Sequence, residues 1–344
     1  MAHREIAAFQ IGVLGAGSWG TALAMLLADK GYPVTLWAYE AEVANEIAEL
    51  AENRTYLPGI RLPENLRATT DMAAAVRDKA MVLFVTPSHV MRETARKAAG
   101  DIGRETLLVT ASKGIENVTH KTMTGILQEE ILHIPEDHLT VLSGPSFARE
   151  VGEKRPTVVT VAARNPEIAR QVQEIFASPV FRVYTTEDVM GVEVGGAMKN
   201  VIAIAAGVVD GMELGLNTRA ALITRGLAEI RRLGVAMGAN PHTFSGLSGV
   251  GDLMLTCTGS LSRNHTVGQL LGQGKSLDAI LKEMRMVAEG VKSARSVYNL
   301  SAKLGVELPI CNEVYRVLYE NSSPRDAVDR LMNRTLKQEF DDLI

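Results

Sequence analysis

From Ile11 to Leu142 short apolar runs alternate with longer amphipathic stretches. The runs are Ile11-Gly12-Val13-Leu14, Val34-Thr35-Leu36-Trp37, Met81-Val82-Leu83-Phe84-Val85, Leu107-Leu108-Val109 and Leu139-Thr140-Val141-Leu142. All are of strand length, and none shows the alternation of a strand with one wet face, so each reads as a strand buried on both sides. Such strands need helices over both faces of their sheet. The stretches Thr21 to Lys30 and Ala41 to Glu52 supply helical candidates. The pattern predicts an α/β fold with a Rossmann-type doubly wound parallel sheet. Two β-rich segments, Thr157 to Ala162 and Val180 to Thr185, extend that sheet, with a connecting helix over Pro166 to Ala177. The sheet domain is expected to end near Asp188.

From Val189 onward strand-like runs disappear, and Ala, Gly, Leu and Met recur at helical spacing through Val192 to Val209, Arg219 to Met237 and Asp278 to Leu304. The expected division is a dinucleotide-binding domain over 1–188 and an all-α substrate and catalytic domain over 189–344. Interior glycines cost a helix about 0.5 to 1 kcal/mol each relative to alanine, so Gly195, Gly196 and Gly207 point to close helix packing.

The chemistry begins directly after the first strand. Gly15-Ala16-Gly17-Ser18-Trp19-Gly20 fits G-x-G-x-x-G and runs into a helical segment. In that context Gly15 permits the tight turn, Gly17 lets backbone approach a pyrophosphate, and Gly20 lets the helix lie close to the strand. After the second strand, Glu40 reads either as a partner for ribose hydroxyls or as an ordinary solvated helix start. Later strands end in Thr86-Pro87-Ser88-His89, Ser112-Lys113-Gly114 and Ser143-Gly144-Pro145-Ser146. The carboxyl ends of doubly wound strands line a ligand crevice, so Lys113, Gly144 and Ser146 are candidate contacts, with ordinary turns as the alternative.

Composition narrows the class. The 36 Lys plus Arg against 40 Asp plus Glu give a net charge of -4, so no global basic field would draw in nucleic acid. Cys257 and Cys311 lack the spacing that zinc or redox chemistry requires, and no metal site is expected. The start lacks a signal-peptide apolar region and no uninterrupted run of about 18 apolar residues occurs, so stable membrane insertion is not expected and a cytoplasmic location is.

In the helical half, Lys199 and Asn200 follow Gly195 and Gly196 and precede Val201, Ile202, Ala203 and Ile204. Burial there would lower the lysine pKa toward neutrality, as an acid/base group for an alcohol and ketone pair needs; a surface lysine is the alternative. Asp252, after Gly249-Val250-Gly251, reads as a helix cap or as a partner for Lys199. Ser262-Arg263-Asn264, ahead of Val267-Gly268-Gln269-Leu270-Leu271, reads as a phosphate cradle or as a capped helix start.

The set Gly15 to Gly20, Tyr56-Leu57-Pro58-Gly59, Ser143-Gly144-Pro145-Ser146-Phe147-Ala148, Lys199-Asn200, Gly251-Asp252-Leu253 and Ser262-Arg263-Asn264, in this order across nearly the whole chain, resembles the bacterial NAD(P)-dependent sn-glycerol-3-phosphate dehydrogenases. The resemblance implies a homodimer that interconverts dihydroxyacetone phosphate and sn-glycerol 3-phosphate for phospholipid synthesis. It implies Lys199 as proton donor and acceptor, and Lys113, Gly144, Ser146, Lys199, Asp252, Ser262, Arg263 and Asn264 as substrate contacts. It places NAD or NADP at Ser18, Trp19, Tyr39, Lys113, Ala148, Arg263, Val287 and Glu289, beside Gly15, Gly17 and Gly20. Tyr39 departs from the basic residue many members carry there, which touches the choice between the two cofactors. Two other readings are a reductase of another small oxo or hydroxy acid, which the phosphate cradle disfavors, and an NADH-sensing regulator, which the Lys199, Asp252 and Arg263 set disfavors.

Overall fold

The computed structural model describes residues 8–284 and 288–339. The chain forms two compact units, Met1–Ser112 with Met123–Val189, and Lys113–Thr122 with Met190–Ile344.

The first unit is built on an eight-stranded sheet: β1 Ile11–Leu14, β2 Val34–Trp37, β3 Leu66–Thr69, β4 Met81–Phe84, β5 Leu107–Thr110, β6 Leu139–Ser143, β7 Thr157–Ala163 and β8 Phe181–Thr186. Their order is β3-β2-β1-β4-β5-β6-β7-β8, with Ile11 opposite both Val34 and Met81. Alternate residues of one strand enter opposite cores. Ile11 and Val13 join a cluster with Leu23, Leu27 and Val43, whereas Leu14 joins Phe84, Met91 and Ile126. Burial of both faces is what the unbroken apolar runs require.

Two features depart from the sequence reading. The edge strand β3, Leu-Arg-Ala-Thr, has a single buried residue, Leu66, and exists through its ladder with β2. The sheet is also not wholly parallel, because β7 runs antiparallel to β6, with Ser143 opposite Thr160. Between those two strands lies only the one-turn helix Ala148–Gly152, which cannot return the chain to the far end of the sheet as a parallel crossover must.

In the second unit the named elements among the described residues are helices: α1 Val189–Gly211, α2 Gly215–Ala236, α3 Asp252–Thr258, α4 Arg263–Gly272, α5 Leu277–Glu283, α6 Glu289–Leu304, α7 Pro309–Tyr319 and α8 Pro324–Met332, with short turns between. The stretch Asp278 to Leu304, read as continuously helical, holds two separate helices, α5 and α6. Helix α1 is long and apolar enough to cross a membrane, but 94% of its apolar window is buried inside the protein, which makes it a core helix.

Glycines explain how α1 packs. A Cβ at Gly207 would stand 2.0 Å from His265 O, and one at Gly211 2.2 Å from Gln269 O. Reciprocally, a Cβ at Gly268 would stand 1.9 Å from Ile204 O, and one at Gly272 2.6 Å from Val208 O. Helices α1 and α4 therefore touch backbone to backbone along Gly207-x-x-x-Gly211 and Gly268-x-x-x-Gly272. Residues 113–122, which follow β5 in the chain, belong to this unit, and Ser296 Oγ of α6 lies 2.7 Å from Ile115 O.

Candidate active site

The first unit shapes the Gly15–Gly20 loop around its glycines. Gly15 has φ +115°, in the region that favors glycine, and a Cβ on it would meet Val85 O at 2.8 Å. A Cβ at Gly20 would meet Gly15 O at 1.8 Å, so the helix Ser18–Asp29 can begin this close to the strand only without a side chain. Gly17, its N-cap, has nothing within 4 Å of where a Cβ would stand, which leaves an open backbone face. The first intrahelical bond runs from Thr21 N to Gly17 O, so the N–H groups of Trp19 and Gly20 precede the ladder. Such a terminus suits a pyrophosphate, and the loop fits a dinucleotide.

Sequence reasoning missed what holds this loop. Asn53, fully buried, donates from Nδ2 to Ala16 O and to Thr21 Oγ1, both at 2.8 Å, and its Oδ1 accepts from Tyr56 N at 3.0 Å. Ser18 Oγ donates to Tyr56 O at 2.6 Å. Tyr56 in turn donates from its hydroxyl to Glu40 Oε1 at 2.9 Å, so the Glu40 carboxylate already has a protein partner. Tyr39 is 80% exposed, its ring edge-on to Trp37.

Also in this unit, Gly144 follows β6 with φ +146°, and a Cβ there would stand 2.9 Å from Val159 Cα. Ser146 Oγ donates to Gly144 O at 3.0 Å, and Ala148 opens the short helix Ala148–Gly152.

The second unit gathers buried Lys199 and Asp252 and partly exposed Lys113 into one cluster. Lys199 sits midway along α1, where every residue from Gly191 to Gly207 is buried. Its ammonium donates to Asp252 Oδ1, and to Thr256 Oγ1 at 2.9 Å. Lys113 donates to the other carboxylate oxygen, Asp252 Oδ2, at 2.6 Å. Asp252 is 1% exposed and opens α3 after Gly251, which stands at the cap position. The aspartate is thus the lysine partner of the two sequence alternatives.

The electrostatics follow from this packing. Burial pushes the Lys199 pKa down, Asp252 pulls it back up and Lys113 lowers it further, with the balance at about 7. Burial alone would raise Asp252, but the Lys113 and Lys199 ammoniums hold it below the ordinary carboxylate value. Thr256, another residue absent from the sequence reading, lies one helical turn after Asp252. That spacing puts the two on one face and was the available signal.

Ser262-Arg263-Asn264 occupies the start of α4. Ser262 caps the helix, its Oγ accepting from His265 N at 3.3 Å. Asn264 Nδ2 donates to Asn200 Oδ1 at 2.9 Å while its Oδ1 accepts from Gly290 N at 2.8 Å, tying α4 to α1 and α6. Arg263 keeps an exposed part of its side chain, while crowding around its guanidinium lowers its pKa and the Glu289 carboxylate opposes that shift. Of the three residues read as a cradle, two are therefore largely engaged in helix placement, and Arg263 is the one that extends outward. Val287, expected at the cofactor, lies outside the described residues. Both cysteines are buried free thiols, and burial pushes Cys257 up to about 12.

Comparison with known proteins gives two family matches: NAD-dependent glycerol-3-phosphate dehydrogenase N-terminus over residues 10–169, and NAD-dependent glycerol-3-phosphate dehydrogenase C-terminus over residues 188–329. The chain is 57% identical over 330 residues to a glycerol-3-phosphate dehydrogenase [NAD(P)+] of Citrifermentans bemidjiense, covering 96% of this chain and 98% of the relative. It is 53% identical over 331 residues to the protein of that name from Syntrophobacter fumaroxidans, covering 96% and 97%. The crystal structure of a glycerol-3-phosphate dehydrogenase from Coxiella burnetii superposes with a TM-score of 0.91 at 38% identity, over 95% of this chain and 99% of that one.

Proposed function

Because the chain belongs to the NAD-dependent glycerol-3-phosphate dehydrogenase family, we propose that it interconverts dihydroxyacetone phosphate and sn-glycerol 3-phosphate with NAD(P). The observation that carries the chemistry is the buried Lys199 ammonium, held between Asp252 and Thr256 with a pKa near neutrality. An acid/base group works best when its pKa lies near the operating pH. In reduction Lys199 gives a proton to the oxygen developing charge on C2; in oxidation the neutral amine takes that proton back. Asp252 remains ionized throughout and fixes where the amine points. Lys113, on the opposite carboxylate oxygen, adds positive charge that favors the alkoxide.

Bound NAD(P)H supplies the hydride. The chain's part is to seat the pyrophosphate at Gly17 and the start of the Ser18–Asp29 helix. Arg263 holds the substrate phosphate, and binding energy spent there orients the reacting carbon. Gly144, Ser146, Ser262 and Asn264 complete the substrate contacts; Trp19, Tyr39, Ala148, Val287 and Glu289 complete those to the cofactor. The corresponding division of labor is dinucleotide binding by residues 1–188 and substrate handling by 189–344, with Lys113 contributed across that chain boundary. The enzyme works as a cytoplasmic homodimer that supplies phospholipid synthesis.

The test is the near-ultraviolet absorbance of reduced nicotinamide. It should fall on adding dihydroxyacetone phosphate and stay constant with pyruvate or ketopantoate. Turnover of ketopantoate but not of the triose phosphate would overturn the substrate assignment.

A further inference from the structure

Residues 113–122 belong to the second unit and carry Lys113 at their start. The segment closes on itself: Ile115 pairs with Thr122, Glu116 N bonds Lys121 O at 2.9 Å, and His120 N bonds Glu116 O at 3.0 Å. Ile115, 3% exposed, packs into the helical core. Lys113 stands two residues earlier. A lysine carries its charge on a flexible four-carbon stem, so where the ammonium rests depends on where the main chain is held.

That main chain is held from α6. Ser296 is fully buried, and its Oγ donates to Ile115 O at 2.7 Å, with Asn117 Oδ1 beside it at 2.9 Å. A serine inside a helix commonly bonds the carbonyl four residues back. Here that acceptor, Lys292 O, is 3.4 Å away, so the hydroxyl is turned off its own helix toward the segment. A hydroxyl has one proton, and Ile115 O is its nearest acceptor. We propose that Ser296 is a positioning residue: by holding the Ile115 carbonyl it fixes Lys113 so that its ammonium meets Asp252 Oδ2, and through that contact it sets the charge balance at Lys199. Its bearing on the reaction rests on the acid/base role proposed for Lys199.

The charged groups whose fields reach Lys199 are Asp252 of α3 and Lys113; the Cys257 thiol, pushed up to about 12, is neutral beside them. Lys113 lowers the Lys199 pKa directly and also offsets the Asp252 charge that raises it. A Lys113 set loose does less of each, so Lys199 should titrate at higher pH.

Lysine labeled with ¹³C at Cε reports that titration by NMR in the full chain, the Lys199 signal being assigned by its loss in Lys199→Ala. Ser296→Ala removes only the hydroxyl. It should raise the Lys199 midpoint by ~0.3 pH unit or more, with the kcat limbs moving alongside, and Ser296→Thr should restore both. Asn117→Ala, which leaves the Ile115 bond in place, should shift neither. Lys113→Met raises the midpoint by itself, and adding Ser296→Ala to it should raise it no further. A lowered melting temperature with an unmoved midpoint in Ser296→Ala, an equal shift in Asn117→Ala, or an additive shift in the double variant would overturn the proposal. A raised midpoint with unmoved kcat limbs would uphold the positioning and remove Lys199 from its acid/base role.

Discussion

Thr256 stands 2.9 Å from the Lys199 ammonium, and its hydroxyl can only accept there, because its own proton goes to the Asp252 carbonyl at 2.6 Å. With Asp252 Oδ1 taking a second N–H, two of the three amine positions are fixed. The third, a proton in the charged form and a lone pair in the neutral one, is the position that the proposed acid/base role assigns to substrate. The amine is thereby held in one orientation. Lys199→Ala should reduce turnover by ~10² to 10⁴ with NADH affinity retained. Thr256→Val should lower kcat more than it raises KM, and Thr256→Ser should restore it. Near-normal turnover in Lys199→Ala would remove the lysine from the mechanism.

The pH dependence should carry the signature of Lys113. Reduction needs Lys199 protonated, so its rate falls as pH rises through about 7, while oxidation falls as pH drops through the same value. The Lys113 charge lowers the Lys199 pKa. Lys113→Met should therefore move both limbs to higher pH, measured as kcat profiles in each direction. Unmoved limbs would show that the two ammoniums do not communicate through Asp252.

Arg263→Ala removes the exposed cation at the start of α4. Dihydroxyacetone phosphate should lose roughly 1.5 to 3 kcal/mol of binding, and unphosphorylated dihydroxyacetone much less. Equal losses for the two substrates would assign Arg263 to the cofactor or to structure.

Cofactor choice should respond at residue 39. Tyr39 is exposed at the end of β2, next to a Glu40 carboxylate held by the Tyr56 hydroxyl, so a 2'-phosphate meets a fixed negative charge there. Both cofactors are expected to work. Tyr39→Arg should raise kcat/KM for NADPH relative to NADH by adding a phosphate partner. An unchanged ratio would mean the 2'-position is read elsewhere.

A stability effect arises far from the chemistry. Glu229 of α2 is buried and accepts from the Ile310 and Cys311 N–H groups at the start of α7, at 2.6 and 3.0 Å. Burial raises its pKa to about 7, against the partial opposition of those bonds. A carboxyl raised on folding holds its proton more tightly in the native state, so its contribution is fully present below its ordinary value near 4.5 and is lost as pH rises through about 7. The loss is on the order of 3 kcal/mol. Denaturant melts should show Glu229→Gln flattening the fall in stability across that window; parallel curves for the two proteins would rule the linkage out.

What the sequence could and could not disclose follows from how local each signal is. The five apolar runs and the glycine loop are legible because burial on both faces and close backbone approach each impose residue types on contiguous positions. Strand β3 is not, since Leu66 is its one buried residue and its pairing partner, β2, supplies the reason it is a strand. The reversal of β7 depends on the shortness of the connection, which pattern alone does not weigh. Lys199 and Asp252 are individually visible as polar groups among small and apolar neighbors, but their pairing spans 53 residues. Asn53 is unreadable: a lone amide in a polar loop carries no mark of the three contacts it makes across the fold.

The backbone contact between α1 and α4 turns the site into a ruler. Lys199 rides on one helix and Arg263 begins the other, and beyond both residues the helices meet backbone to backbone at four glycines, where no side-chain rotamer could change their spacing. If the proposed roles hold, the span from proton-transfer amine to phosphate-holding guanidinium is set largely by main-chain geometry, with the two reaching side chains left to adjust. On that reading a substrate would be gauged by the number of bonds between its carbonyl and its phosphate, and one with an extra methylene should turn over poorly, because helices in backbone contact cannot move apart by repacking side chains.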